Sequence, residues 1–251
     1  MERLAAGIWR NRSMLKLSKA EILRYKKQIS LPAIGIKGQE CILSTRVLLV
    51  GAGGLGAPSL LYLAAAGVGT IACIDFDQVE LHNLHRQVIH SEQSVGQSKV
   101  ASAALRLKQL NSSIRYIPIA EKLHAGNLDQ YIPDYDIIID GCDNFTTRYL
   151  VNDACVRHQK PLVYGSVLNF ELQMAVFNHK GGKDLRAIFP EAPNPADVPS
   201  CELNGVMGTA PGILGLMMAQ ETLKIIIDRP CLHNQLLIMN TDSWSIRVLA
   251  F

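Results

Sequence analysis

Apolar positions along the chain fall into short continuous runs that alternate with longer segments of helical spacing. The runs, which are typical of buried strands, lie at residues 47–50, 71–75, 114–119, 136–140 and 161–164. The segments with helical spacing lie at residues 58–67, 92–110 and 147–158. Strands that alternate with helices in this way predict an α/β fold, with a Rossmann-like, doubly wound and mostly parallel sheet.

The second half of the chain has a different pattern and predicts an antiparallel C-terminal part. Residues 170–178 alternate apolar and polar positions as an antiparallel strand does, and residues 236–239 and 246–249 indicate short strands. Residues 212–227 indicate an apolar helix. The prolines within residues 189–200 predict an exposed crossing segment, because proline suits neither helix interiors nor interior strands.

The N-terminal region begins with a predicted lead-in at residues 1–17. Ser18 and Glu21 have the spacing of a capping box, which predicts that a helix begins there and ends before Pro32.

A glycine-rich turn joins the first predicted strand to the first helix. Its glycines are Gly51, Gly53, Gly54 and Gly56. Such a turn lets the backbone approach a ligand, and the following helix offers free N–H groups to a phosphate. Asp75 ends the second strand, where units of this kind place an acid that binds a ribose hydroxyl. The sequence therefore predicts a nucleotide site, which suits ATP and NAD equally at this point.

Charged and polar residues follow the second strand. Asp75 and Asp77 offer acceptors to a ribose, and Asn83, Arg86 and Lys99 lie on the next connection. Arg86 can bind one phosphate group through two of its own N–H groups, and the Lys99 ammonium group can neutralise the charge of a second phosphate group.

Distant parts of the chain are predicted to converge at this site. Gly51, Asp75 and Asp143 each follow the carboxyl end of a predicted strand, and ligands of doubly wound sheets bind at that edge.

Length and charge limit the possible classes of protein. The 251 residues suit one large domain with a sizeable core, and the net charge of +3 argues against a protein that binds nucleic acid through a large basic surface. No apolar run reaches the roughly 18 residues of a membrane span, and the N-terminus is a poor secretory signal, so we expect a cytoplasmic protein.

The 6 cysteines include no CxxC pair, which argues against a structural zinc site. Cys73 lies in a predicted strand, and we interpret it as a small buried apolar residue.

Four motifs together resemble the ubiquitin-activating superfamily. They are Gly51-Ala-Gly53-Gly54-Leu-Gly56, Asp75-Phe-Asp77-x-Val-Glu80-x-x-Asn83-Leu-x-Arg86-Gln87, Gly96-x-x-Lys99 and Asp143-Asn144-Phe-x-x-Arg148. Within the superfamily, the chain is most similar to bacterial adenylyltransferases that activate sulfur-carrier proteins for molybdopterin or thiamine biosynthesis. The similarity runs from about residue 24 to residue 227.

The resemblance implies a reaction. With ATP and Mg²⁺, such enzymes adenylate the C-terminal glycine of a small ubiquitin-like carrier that ends in Gly-Gly, and release pyrophosphate. Asp75 would bind the ribose, Asn83, Arg86 and Lys99 the phosphates, and Asp143 the magnesium ion. The full nucleotide-binding set carried over is Gly51, Gly53, Gly54, Gly56, Asp75, Asp77, His82, Asn83, Leu84, His85, Arg86, Gln87, Lys99, Asp143 and Asn144. The catalytic set is Arg86, Lys99, Asp143 and Cys201.

The resemblance also implies a homodimer in which a basic residue of the N-terminal helix, here Lys27, reaches the partner's ATP. The family usually has arginine at this position, and lysine keeps only the charge. Asp184 and Ala187 stand where many relatives have a zinc-binding CxxC pair, so we expect no zinc.

Cys201 precedes a Gly-Val-x-Gly run at the position of a cysteine in the family's mobile loop. It could handle sulfur or form a thioester after adenylation, together with a sulfur-donor enzyme, or it could be a spectator. His82, His85 and His90 are interpreted as packing or surface groups.

These motifs predict one adenylyltransferase domain at residues 18–251, with a nucleotide-binding half at about 40–165 and a carrier-binding half at about 166–251. Two alternatives remain. The protein could be an NAD-dependent oxidoreductase, although Asn83, Arg86 and Lys99 would then have no natural role. It could also be a non-catalytic module of the same fold that docks a carrier.

Overall fold

The computed structural model describes residues 14–193 and 205–251. The strands of this part of the chain are β1 (Arg46–Val50), β2 (Thr70–Ile74), β3 (Arg115–Ile119), β4 (Ile137–Asp140), β5 (Leu162–Leu168), β6 (Glu171–Phe177), β7 (Gln235–Asn240) and β8 (Ser245–Ala250). They form one sheet in the order β3-β2-β1-β4-β5-β6-β7-β8. Strands β1 to β5 pair in parallel and β5 to β8 pair antiparallel, which confirms the predicted fold class.

Helices cover both faces of the parallel part. They are α1 (Lys19–Arg24), α2 (Lys26–Ile29), α3 (Gly35–Ser44), α4 (Gly56–Ala66), α5 (Lys99–Leu110), α6 (Leu128–Tyr131), α7 (Phe145–Arg157) and α8 (Thr209–Ile226). No helix within the described ranges is long and apolar enough to cross a membrane.

The strand β1 shows why its sequence is a continuous apolar run. Val47 and Leu49 belong to a core that includes side chains of α4, α5 and α8, whereas Leu48 and Val50 belong to a second core on the opposite face with α7. Alternate side chains of one strand are thus buried on opposite faces, as in parallel sheets covered by helices on both sides.

Several predicted boundaries were wrong. Residues 92–110 were predicted as one helix, but a 3₁₀ turn at Glu92–Ser94 and Gly96, with φ of +83°, separate the first residues from α5. The helix predicted from residue 147 begins at Phe145, because the Asn144 side chain caps it. Helix α3 was missing altogether from the sequence interpretation.

The N-terminal helix was partly predicted. The Ser18 side chain accepts from the Glu21 backbone N–H, and the Glu21 side chain accepts from Ser18, which confirms the capping box. However, α1 ends at Arg24, and the buried Tyr25 separates it from α2. Of the crossing segment predicted at residues 189–200, residues 194–200 lie outside the described residues.

The strand order places one edge of the sheet at a crevice. Strand β1 pairs with β2 on one side and with β4 on the other, so the chain leaves β1 where the direction of winding reverses. The carboxyl ends of β1, β2 and β4, which end at Val50, Ile74 and Asp140, therefore lie side by side.

A buried histidine lies at the opposite end of the sheet from the crevice. His179 follows β6 and is 7% exposed, and its ring meets that of His233 edge to face with centroids 6.1 Å apart. Burial, aided by Lys180 and His233, lowers the pKa of His179 to about 4.

This histidine predicts a pH dependence of stability. Because His179 is held neutral in the folded state while a histidine of ordinary pKa near 6.5 takes up a proton on unfolding, the free energy of unfolding should fall as the pH drops from 6.5 toward 4. His179→Phe keeps a ring without a titrating group and should lose less stability over this range. Denaturant unfolding of both proteins at several pH values measures the difference. Identical pH dependences would contradict the assignment.

Candidate nucleotide site

The glycine turn after β1 is packed too closely for other residues. Gly51 has φ of +92°, and a Cβ at this position would lie 2.8 Å from the Gly141 carbonyl oxygen. A Cβ on Gly56 would lie 2.0 Å from the Gly51 carbonyl oxygen. The turn therefore folds back on itself and against the loop after β4, which brings the backbone of residues 51–56 to the crevice.

Asp75 connects the end of β2 to this turn. Its Oδ2 accepts from the Ala52 N–H at 2.7 Å and its Oδ1 accepts from the Asp77 N–H at 2.8 Å. Burial raises the pKa of Asp75, while Lys99 and these two N–H groups oppose the increase. Each carboxylate oxygen keeps a lone pair, so the predicted contact with a ribose hydroxyl remains possible beside the structural bonds.

Lys99 is the first residue of α5 and points toward the same acids. Its Nζ donates to Asp77 Oδ2 at 2.7 Å, and its side chain is 9% exposed while that of Asp77 is 46% exposed. The structure thus brings Asp75, Asp77 and Lys99 together, as the sequence predicted. The buried ammonium group is balanced by an acid that is accessible to solvent.

The segment after Asp77 forms a short 3₁₀ helix, Leu81–Asn83. Asn83 is 4% exposed, and its Oδ1 accepts from the Glu80 N–H at 3.1 Å while its Nδ2 lies 3.1 Å from His82 Nε2. Its side chain therefore stabilises this turn, a role that the sequence interpretation did not include. His82 and His85 are exposed and Leu84 is half-buried.

Arg86 and Gln87 lie against the glycine turn. The Arg86 Nη1 donates to the His82 carbonyl at 3.1 Å and lies 2.9 Å from His85 Nε2, and a Cβ on Gly54 would lie 3.5 Å from Arg86 Cγ. Gln87 is 3% exposed, and its Oε1 has no hydrogen-bond partner in the described chain. This buried oxygen beside the glycine turn can accept a hydrogen bond from a hydroxyl or amino group of a bound ligand.

The loop after β4 carries Asp143 and Asn144. Asp143 is exposed, and its carboxylate has no hydrogen bond or ion pair within residues 14–193 and 205–251. Asn144 Oδ1 accepts from the Thr147 N–H at 2.9 Å. Asn144 therefore caps α7, whereas Asp143 is available for a cation.

A buried ion pair holds this loop in place. Arg148 Nε donates to Asp140 Oδ2 at 2.9 Å, and the two side chains are 5% and 0% exposed. The Arg148 Nη2 also donates to the carbonyls of Cys142 and Gly165, each at 3.0 Å. The sequence motif included Arg148, but its role became visible only from this geometry.

The buried thiols are unsuited to nucleophilic chemistry. Burial raises the pKa of Cys73 and, with Asp140 as a second cause, that of Cys142. Cys142 Sγ also donates to Asp140 Oδ1 at 2.7 Å. Cys73 is 0% exposed, as predicted. Cys201, the cysteine assigned a possible covalent role, lies outside the described residues.

Lys27 is not brought to the glycine turn of its own chain. The next residue, Gln28, donates to the Ala66 carbonyl at the C-terminal end of α4, whereas the turn lies at the N-terminal end of that helix. An 11-residue helix is about 16 Å long. Contact of Lys27 with the nucleotide of a partner subunit stays a prediction.

Asp184 precedes a 3₁₀ turn, Leu185–Ala187, of which Ala187 is the last residue. The described part of the chain has no group of three potential metal ligands among its His, Cys, Asp and Glu residues.

His90 was interpreted as a packing or surface group, and it is a buried packing group that lies against the turn. Its Nε2 lies 3.3 Å from the Ala52 carbonyl oxygen. The sequence held one signal for this position. His90 is a polar residue that directly follows the apolar Val88 and Ile89, and it lies between two candidate phosphate-binding residues, Arg86 and Lys99.

Arg148→Met should destabilise the protein by about 3–5 kcal/mol, because it leaves the buried Asp140 carboxylate without its counterion. Arg157→Met is the matched control on the same helix, since Arg157 pairs with Asp129 at the surface and should change stability little. Denaturant unfolding gives both free energies. Equal losses in the two variants would contradict the importance of the buried pair.

Comparison with known proteins places this chain in a family. The model of the ThiF family matches residues 25–250. The chain is 46% identical over 223 residues to the Adenylyltransferase and sulfurtransferase MOCS3 of Danio rerio, covering 89% of this chain and 49% of that protein. It is 47% identical over 235 residues to the MOCS3 protein of Culex quinquefasciatus, covering 93% and 54%. The chain thus spans about half the length of these curated relatives.

Solved structures share the fold. The crystal structure of selenomethionine PaaA superposes with a TM-score of 0.80 at 23% identity, covering 96% of this chain and 77% of that one. The structure of E. coli MccB with ATP superposes with a TM-score of 0.73 at 24% identity, covering 85% and 65%. Because the family model matches almost the whole sequence, the resemblance inferred from the motifs is confirmed, and the chain belongs to the ThiF family.

Proposed function

We propose that the protein is an ATP-dependent adenylyltransferase that activates the C-terminal glycine of a ubiquitin-like sulfur-carrier protein. The observation that carries the proposal is the convergence of Asp75, Lys99, Arg86 and Asp143 around the glycine turn at one edge of the sheet. The relatives named adenylyltransferase and sulfurtransferase, which this chain matches over about half their length, support it.

The proposed reaction needs charge neutralisation rather than a general base. A carrier carboxylate is ionised near pH 7, so one of its oxygens can form a bond to the α-phosphorus while the bond to the pyrophosphate oxygen breaks. Arg86 and Lys99 would neutralise the phosphate charge, and the glycine turn would hold the triphosphate in line. This explains why the site needs no histidine or serine nucleophile.

The residues present fit a triphosphate. The turn excludes any Cβ at Gly51 and Gly56, and the Gly53 N–H donates to no group in the described residues, so it can donate to a phosphate oxygen. In a nicotinamide-dependent enzyme, Arg86 and Lys99 would bind only the pyrophosphate of the cofactor. No contact among the described residues favours the oxidoreductase alternative. The presence of Arg86, Lys99 and Asp143 likewise weighs against a docking module without turnover.

Asp143 fits a magnesium ion. Mg²⁺ binds through one or two carboxylates together with substrate phosphates and waters, and Asp143 offers an exposed carboxylate beside the crevice. When bound, the ion would stabilise negative charge on the phosphates. In this proposal, Asp143 holds the magnesium ion while Arg86 and Lys99 bind the phosphates.

The second half of the chain supplies a surface for the carrier. Strand β8 is an exposed edge strand, with Ile246 59% and Val248 49% exposed on the same face. Exposed apolar side chains in a row are typical of protein interfaces. We assign this face to the body of the carrier, whose tail would extend to the α-phosphate.

Further parts of the proposal follow from the family. We expect a molybdopterin-type or thiamine-type carrier, a homodimer with Lys27 at the partner's nucleotide, and sulfur transfer after adenylation that involves Cys201 or a sulfur-donor enzyme. A cytoplasmic location and the absence of zinc belong to the same expectation.

The activity can be tested by carrier-dependent exchange of labelled pyrophosphate into ATP with Mg²⁺ and a carrier that ends in Gly-Gly. Asp143→Ala should reduce exchange by at least about 100-fold, because a metal ligand is lost. Asp134→Ala, which removes a 68% exposed carboxylate at the opposite edge of the sheet, is the control and should have wild-type exchange. Cys201→Ala should spare exchange. Absence of exchange with every such carrier would contradict the proposal.

The docking face can be tested separately. Val248→Asp should raise the KM for the carrier about tenfold, because a charge replaces an apolar contact worth more than 1 kcal/mol. Ser245→Asp places the same charge on the other face of β8 and should leave this KM unchanged. Both variants should bind ATP like the wild type. A Val248→Asp variant with the wild-type KM for the carrier would refute the assignment of this face.

A further inference from the structure

We propose that His90 is a positioning residue that holds the glycine turn in the orientation needed by the triphosphate, by joining Ala52 of the turn to helix α5. The inference rests on the proposed function, in which the glycine turn binds the triphosphate of ATP. His90 is 8% exposed and lies between the turn and α5.

The contacts of the ring define its tautomer. Nε2 lies 3.3 Å from the Ala52 carbonyl oxygen, which can only accept, so Nε2 carries the proton. Nδ1, 2.9 Å from Ser102 Oγ, is then the acceptor of the serine hydroxyl in the neutral ring. Burial lowers the pKa of His90, and Lys99 adds to this, although the contact with Ala52 opposes it. The neutral ring that these contacts require is therefore the favoured form near pH 7.

The bond to Ala52 sets the direction of the next N–H group. The Ala52 carbonyl and the Gly53 N–H belong to one planar trans peptide and point in opposite directions. A carbonyl turned toward His90 therefore directs the Gly53 N–H away from it. This N–H donates to no group in the described part of the chain, so it is free for an anionic ligand.

The same histidine connects the turn to Lys99. Ser102 lies on α5 one turn after Lys99, whose Nζ contacts Asp77. The Asp77 N–H and the Ala52 N–H both donate to the Asp75 carboxylate. Hydrogen bonds thus join Asp75 to Ala52, Ala52 to His90 and His90 to Ser102, and helix α5 connects Ser102 to Lys99. Lys99 in turn contacts Asp77, whose N–H donates to Asp75. A shift of the turn would be transmitted to the ammonium group that is proposed to bind a phosphate.

His90→Phe keeps a ring and removes the donor. It should raise the Kd for Mg-ATP, measured by calorimetry without carrier, and the KM for ATP in exchange about tenfold, with an unchanged KM for the carrier. His90→Gln offers an amide N–H to Ala52 and should recover most of the affinity. Ser102→Ala removes the second contact and should raise the Kd about threefold. His179→Phe, a buried histidine at the opposite edge, is the control and should leave the Kd unchanged.

The outcomes separate this inference from the proposed function. A wild-type Kd in folded His90→Phe or Ser102→Ala overturns the role of His90, as does an equal loss of affinity in His179→Phe. If His90→Phe does not fold, Ser102→Ala decides, because alanine suits a helix interior and leaves the ring in place. A wild type that binds Mg-ATP but shows no exchange refutes adenylation alone, since the Kd still tests His90. A wild type that does not bind Mg-ATP refutes both.

Discussion

The buried charge of Asp140 is the constraint on which the site depends. A carboxylate at the end of a central strand is costly to bury unless a cation and hydrogen bonds compensate it; Arg148 supplies the cation and one hydrogen bond, and the Cys142 N–H and Sγ donate two more. Because the same guanidinium group binds the carbonyls of Cys142 and Gly165, it connects the end of β4 to its loop and to β5. Asp143 thereby projects from a loop whose backbone is held on both sides.

Some polar groups at the carboxyl ends of β1, β2 and β4 form hydrogen bonds that stabilise the loops of the site. Others have no partner in the described chain and are available to a ligand. Asn83 and Asn144 use their amide oxygens on backbone N–H groups of their own turns. Asp143, the Gln87 Oε1 and the Gly53 N–H have no partner within the described ranges. The Asp143 carboxylate can bind a magnesium ion and the Gly53 N–H can donate to a phosphate oxygen, which agrees with the proposed chemistry, whereas the Gln87 oxygen can accept only from a donor group of a ligand.

Local patterns in the sequence were sufficient for the parallel half of the fold and for the convergence of Gly51, Asp75 and Asp143, because strand runs and glycine turns are defined by neighbouring residues. Helix α3 was missed, since it begins with a glycine and has no side-chain N-cap. The hydrogen-bond partners of Arg148 and His90 could not be predicted. They depend on contacts with Gly165 and Ala52 that only the packed sheet brings within reach.

The central claim is that a triphosphate lies between the glycine turn, two cationic side chains and a metal-binding acid. A crystal structure with Mg²⁺ and a non-hydrolysable ATP analogue tests it most directly. The account predicts the ribose at Asp75, phosphate oxygens within hydrogen-bond distance of Arg86 and Lys99, and the magnesium ion on Asp143. Adenine bound elsewhere, or phosphates out of reach of both cations, would contradict it.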